Sequence, residues 1–251
     1  MPQSIISMKS CYDQKVQVRK MVLGLIGGVG SGKSTVTDIL NNKYGFLILK
    51  TDDIAKELER PGESVYKKLI EVFGTAILED DDGKAQSEGN TNNSLKNGLA
   101  PESQNRAKEK AERDLEHRPI DKAKFAQLIY SDNEALKKVN AIVHPAVWSY
   151  VRERIRAHEN EVGEGRAFAA VESALPDADF EDICDKTWYI YADDETRIER
   201  LMKSRGYSKE KCISIIKSQR SADEFKKLAD HVINNSGSEE ETAGQIEELL
   251  K

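Results

Sequence analysis

The sequence predicts an α/β fold, a mostly parallel five-stranded sheet between helical layers, and two observations predict it. Five short apolar runs, at 22–26, 46–49, 168–171, 188–192 and 231–233, have the length and composition of buried parallel strands. Between them lie segments whose apolar residues recur at helical spacing, and strands alternating with helices build βαβ units.

Taken in chain order, the run 22–26 leads into GLIGGVGSGKST at 24–35, and a helix is expected over 33–42. The run 46–49 follows, with another helix opening beside Asp52 and Asp53. From 61 to 163 no strand pattern occurs. Helical spacing covers 64–73, 122–130, 134–142 and 146–159, so this stretch reads as a helical subdomain inserted into the sheet. Within it, residues 79–118 are almost free of large apolar side chains and rich in Asn, Ser, Gly and charge. Such a segment buries too little surface to offset its ordering entropy, and a surface excursion with a solvated helix over 107–116 is expected. The runs 168–171 and 188–192 then alternate with helices over 194–203 and 209–219. The run 231–233 and a helix over 240–250 close the chain. The core therefore comprises 21–60, 164–203 and 223–251.

Bulk properties exclude several classes of function. A chain of 251 residues holds one sizeable domain or a core with an insertion. Its three cysteines, Cys11, Cys184 and Cys212, are far apart and lack zinc-ligand spacing. The net charge of −6 argues against a nucleic-acid partner, and no apolar stretch has the length of a membrane span. A cytoplasmic protein is expected, with residues 1–20 as a disordered, basic N-terminal extension. Oligomeric state has no sequence signal.

The pattern GxxxxGK[ST] is met in full by Gly27, Gly32, Lys33 and Ser34. Its glycines let backbone N–H groups wrap a phosphate chain in front of a helix N-terminus. The expected nucleotide site is Gly28, Val29, Gly30, Ser31, Gly32, Lys33, Ser34 and Thr35. Lys33 would reach the β and γ phosphates of ATP, and the Ser34 hydroxyl would ligate Mg²⁺. A guanine-reading NKxD is absent, because Asn42-Lys43 runs into Tyr44-Gly45. At the end of the second strand run, LKTDDIAKEL places Asp52 where ligands gather in open parallel sheets. Asp52 suits a general base for an acceptor hydroxyl, and Thr51 or Asp52 equally suits a helix N-cap.

Four ordered motifs across 21–251 resemble the dephospho-coenzyme A kinase family, a P-loop three-layer fold with a helical substrate subdomain and a helical lid. They are GLIGGVGSGKSTV, TDDIAKELERPGESVYKKLIEVFG, IDKAKFAQLIYSDNEALKKVNAIVHPAV and SADEFKKLADHVINNSGS. The resemblance implies phosphorylation of the ribose 3′-hydroxyl of dephospho-coenzyme A by Mg·ATP. It also implies Asp52 as base, His144 as an acceptor contact, and Asp177 in SALPD in place of a family glutamate, with Glu172 as an alternative acid. Departures fall at Lys50, where the family has aspartate, and in the lid (204–222), where family arginines fall on Ser204 and Ile215. Arg200 matches the lid pattern, and Arg205 is assigned a compensating catalytic phosphate contact. Asn235, Ser236 and Gly237, after the last strand run, are expected beside the ATP base. Proline after His144 implies a junction between two helices there.

Overall fold

The computed structural model describes residues 19–80, 118–163, 165–174 and 176–251. Most of the expected N-terminal extension, the interior of the polar excursion and its helix over 107–116 lie outside the described residues.

In chain order, β1 (Arg19–Ile26), α1 (Lys33–Tyr44) and β2 (Leu47–Lys50) are followed by α2 (Thr51–Leu58), α3 (Ser64–Phe73), α4 (Lys122–Ser131) and the long α5 (Asn133–Val162). Then come β3 (Arg166–Glu172), α6 (Ala178–Ile183), β4 (Lys186–Tyr191), α7 (Asp194–Arg205), α8 (Lys209–Lys217), α9 (Ala222–Lys227), β5 (His231–Asn234) and α10 (Glu239–Leu250). The chain divides into two compact units, one of residues up to Thr51 with Val151–Lys251, the other Asp52–Tyr150.

The first unit holds the sheet. Its five strands are all parallel, in the order β2-β3-β1-β4-β5. Leu23 and Leu25 of β1, Ala170 of β3, Trp188 and Ile190 of β4 and Ile233 of β5 form one buried cluster with Val36, Ile39 and Leu40 of α1 and Ile246 of α10. Burying each large aliphatic side chain contributes about 1.5–3 kcal/mol, which fixes both helices against that face. Gly24, between the two leucines, faces the other side, where a Cβ would run into the Phe180 ring of α6. Phe225 of α9 stacks on Tyr189 of β4 at 5.1 Å between centroids. Helices on both faces give three layers. The chain moves from β1 to β2 on one side and later to β4 and β5 on the other, so the loop after β1 opens where the order reverses.

The second unit is helical. Val65, Tyr66, Leu69, Ile77, Leu78 and Phe125 are buried in it. Leu78 and Ile120 form an antiparallel bridge, Glu79 N–H donates to the Pro119 carbonyl at 3.0 Å, and the Tyr66 hydroxyl donates to the Arg118 carbonyl at 2.7 Å. These bonds pin together the two ends of the polar excursion.

Besides shifts of one to three residues at element ends, several features differ from expectation. β1 begins at Arg19, so Arg19 and Lys20 belong to a strand and not to the N-terminal extension. The junction expected at His144-Pro145 is absent, because α5 runs unbroken through Pro145. Val139, Val143, Val147 and Val151, four residues apart, are all buried, and this continuous stripe outweighs the roughly 3 kcal/mol that an interior proline costs. The helix expected over 209–219 stops at Lys217, and the short α6 and α9 stand where no helix was expected.

Candidate nucleotide site

Gly27 to Gly32 connect β1 to α1 as a loop whose Gly27 and Gly28 carbonyls are held from within the motif and whose Val29, Ser31 and Gly32 carbonyls are held from outside it. Gly30 and Gly32 have φ of 79° and 84°, a left-handed region that favours glycine, and a Cβ on Gly32 would also run into Asn235 Nδ2. Lys33 Nζ donates to the Gly27 carbonyl at 2.9 Å, and the Ser31 N–H to the Gly28 carbonyl at 3.2 Å. Arg197 Nε donates to the Val29 carbonyl at 2.9 Å. The Ser31 carbonyl accepts from Asn235 Nδ2 at 2.8 Å and Arg200 Nη1 at 3.3 Å, and the Gly32 carbonyl from Asn235 Nδ2 at 3.2 Å.

Among the helices that follow a strand or the loop in the sheet unit, the start of α1 differs from those of α6 to α10. Six helices carry a side-chain N-cap: Asp121, Asp177, Asp193, Ser208, Ser221 and Ser238 each accept from a first-turn N–H. α1 has Gly32 as its N-cap, no side-chain cap bond, and no acid in its first turn. Ser31 Oγ, beside it, is buried with no hydrogen-bond partner among the described residues. Uncapped N–H groups, the positive end of the helix dipole and a buried hydroxyl in need of a partner together fit a phosphate group. Ser34 is exposed in the first turn of α1, and Thr35 N–H donates to the Gly32 carbonyl at 3.0 Å.

Carboxylates and arginines around the loop are distributed differently from expectation. Glu172, the last residue of β3, pairs in the sheet with both Leu25 and Lys50, and its Oε1 lies 3.7 Å from Lys33 Nζ. Glu172 is thus the acid beside the loop lysine, while Asp177 accepts from Phe180 N–H at 3.0 Å as the N-cap of α6. Asp52 is exposed in the first turn of α2, two residues beyond Lys50. The arginines that meet the loop are Arg197 and Arg200, three residues apart on α7. Arg205 stands exposed in the last turn, its guanidinium 6.0 Å from the Tyr207 ring centroid. His144 is exposed on α5.

Asn235 is 2 % exposed, and its amide is turned to the loop; its Oδ1 accepts from Thr242 Oγ1 at 2.9 Å. Ser236 Oγ accepts from Asp193 N–H at 3.0 Å. The Thr196 N–H, and after it the Ser236 hydroxyl, hold the Asp193 carboxyl below the usual carboxylate value. Residues 235 and 236 therefore bind protein with their side chains, and their backbone does so too: Asn235 N–H donates to the Tyr191 carbonyl, the Asn235 carbonyl accepts from Arg200 Nη2, and Ser236 N–H donates to Asn234 Oδ1. Among the described residues no group of three or more His, Cys, Asp or Glu could hold a metal ion, and no helix is long and apolar enough to cross a membrane.

The sequence profile of the dephospho-CoA kinase family matches residues 21–89 and 115–241. The chain belongs to that family. A dephospho-CoA kinase of Carboxydothermus hydrogenoformans is 31 % identical over 231 residues, covering 92 % of this chain and 93 % of the relative. One from Oceanobacillus iheyensis is 31 % identical over 233 residues, covering 92 % and 96 %. Among solved structures, a Thermus thermophilus protein superposes with a TM-score of 0.65 at 24 % identity, over 92 % of this chain and 97 % of the other. The dephospho-CoA kinase of Campylobacter jejuni gives 0.55 at 23 % identity over the same shares. These two superpositions establish a shared three-layer fold. The two matched segments include the loop, Asp52, Glu172 and the Arg197–Asn235 region.

Proposed function

We propose that this chain transfers the γ-phosphoryl group of Mg·ATP to the ribose 3′-hydroxyl of dephospho-coenzyme A, giving coenzyme A and ADP. The observation that carries this reading is the uncapped, acid-free start of α1 behind a loop whose carbonyls are engaged by protein, in a chain of the dephospho-CoA kinase family. Phosphoryl transfer asks mainly for positioning and for cations near the equatorial oxygens.

The loop amides and Lys33 hold the phosphates; Lys33, now bonded to the Gly27 carbonyl, exchanges that bond for phosphate oxygens. The Ser34 hydroxyl would hold Mg²⁺ together with the nucleotide, and the ion would supply charge neutralisation at the transferred group. Asp52 takes the hydroxyl proton, and Glu172 keeps Lys33 in place. Arg205, on the lid, supplies a phosphate contact, and His144 an acceptor contact. The backbone at Asn235, Ser236 and Gly237 borders the base.

Incubation with Mg·ATP and, separately, dephospho-coenzyme A, AMP and adenosine tests this by product mass and ADP release. Coenzyme A formed only from dephospho-coenzyme A is the expected result. Transfer to AMP or adenosine makes the chain a nucleotide or nucleoside kinase. ATP binding without transfer to any of the three refutes catalysis and leaves a nucleotide-dependent regulatory protein, for which the Lys50, Ser204 and Ile215 departures give a basis.

A further inference from the structure

Val29 sits between Gly28 and Gly30, so the two peptides beside it have little intrinsic preference for one orientation. Each is nevertheless held. The Gly28–Val29 peptide points its carbonyl at Ser31 N–H, 3.2 Å away, and at Lys33 Nζ, 3.5 Å away. Its N–H, on the opposite side, donates to Gln219 Oε1 at 2.9 Å. The Val29–Gly30 peptide gives its carbonyl to Arg197 Nε, and the same guanidinium donates through Nη2 to the same Gln219 oxygen at 2.8 Å. One amide oxygen thus accepts from a loop peptide and from the arginine that holds the next peptide. A carbonyl oxygen has the two lone pairs this needs, and a hydrocarbon has none. A Cβ on Gly28 would collide with the Arg197 guanidinium and approach Gln219 Oε1 to 2.9 Å, so the three residues are packed as a unit. The geometry is possible because α8 ends at Lys217, which puts Gln219 in the turn that follows.

We propose that Gln219 is a positioning residue for ATP: by holding Val29 N–H and the Arg197 guanidinium at once, it sets which way the phosphate loop presents its amides and its lysine. The inference rests on the loop being the ATP site. It does not require dephospho-coenzyme A to be the acceptor. Gln219 does not touch the reacting atoms; it acts through the two peptides on either side of Val29.

The test compares the full-length parent with Gln219→Met, similar in length but without the acceptor, and Gln219→Glu, which keeps it. Direct ATP binding, KM for ATP, KM for dephospho-coenzyme A and thermal midpoint are read for each. Gln219→Met is expected to weaken ATP binding and raise its KM by about tenfold, the worth of one to two hydrogen bonds. KM for the acceptor should stay within about twofold and the midpoint within a few degrees, and Gln219→Glu should lie between parent and Met. ATP binding by Gln219→Met within about twofold of the parent overturns the proposal. A rise shared equally by both KM values, or Gln219→Glu no better than Met, also overturns it. If the parent binds no ATP, this inference and the proposed function fall together. If it binds ATP tightly but transfers to nothing, the function falls, and the binding comparison alone decides the role of Gln219.

Discussion

Replacing Asn235 separates the support of the phosphate loop from general folding. Its Nδ2 donates to the Ser31 and Gly32 carbonyls at 2.8 and 3.2 Å, and its Oδ1 accepts from Thr242 at 2.9 Å. Asn235→Ala removes all three bonds, but each partner keeps another: Ser31 the Arg200 guanidinium, Gly32 the Thr35 N–H, and Thr242 the Ser238 carbonyl. The loss is therefore close to the net value of each bond, about 2–3 kcal/mol together. In a chain of this size that lowers the thermal midpoint by roughly 4–12 °C. ATP affinity should fall about tenfold as the loop carbonyls lose their anchor. Asn235→Asp keeps the Thr242 contact but places a carboxylate oxygen against two carbonyl oxygens. Like partial charges then face each other in a buried site, and ATP affinity should fall by roughly 10² or more. Isothermal titration with ATP and differential scanning calorimetry measure the two effects. Equal ATP affinity in the Ala and Asp variants would refute the reasoning, because a side chain that merely fills space does not distinguish donor from acceptor.

Three further outcomes follow from the same structure. Asp52→Asn should slow turnover by roughly 10²–10⁴ with ATP binding intact, measured by single-turnover transfer; an unchanged rate would leave Asp52 only a helix-start acid. Burial raises the Glu59 carboxyl above its usual value, against the pull of Lys122 and Lys56. The folded chain then holds more protons than the unfolded one between the usual and the raised value, so stability falls as pH rises through that window. Glu59→Gln should raise the thermal midpoint at pH 7 and leave it unchanged near pH 3.5; a lower midpoint at pH 7 would show the lysines dominating. Burial and Asp185 push the Cys184 thiol up to about 12, so it should react with a disulfide reagent at pH 8 far more slowly in the native than in the unfolded chain. Rapid native labelling at Cys184, located by mass spectrometry, would contradict that burial.

What could be read from the sequence was what is local. Loop and strand–helix alternation were legible because GGVGSGKS is contiguous and because buried parallel strands are apolar on both faces. Asp177 stands in the place of a family glutamate only through the resemblance of SALPD, and its position as the N-cap of the short α6 was not legible there. Arg197 and Arg200 carried a faint signal, being one helical turn apart; Arg205, two residues beyond the next turn, does not share their contacts. Gln219 carried none, and Asn235 was legible as a ligand-edge residue but not as the holder of the loop, since their partners lie 190 and 204 residues away in the chain. Pro145 misled for the opposite reason: the local rule is sound, and a valine stripe spanning the proline overrode it.

The acidity of the chain bears on its ability to bind a polyanion. With 44 acidic and 38 basic residues, a uniform spread of charge would repel ATP. A share of the acids sits where a helix dipole favours them: Asp179 and Glu181 in α6, Asp194 and Glu195 in α7, Glu210 in α8, Asp223 and Glu224 in α9, and Glu239, Glu240 and Glu241 in α10. Each of those starts also has a side-chain cap, so its N–H groups are partly spent. α1 alone among these sheet-layer helices has neither cap nor acid, and it follows a loop whose Gly27, Gly28, Val29, Ser31 and Gly32 carbonyls all accept from protein groups. A negative net charge and an anion site coexist because one helix start in six is left for the ligand, and an acid introduced at Ser34 or Thr35 would remove that distinction.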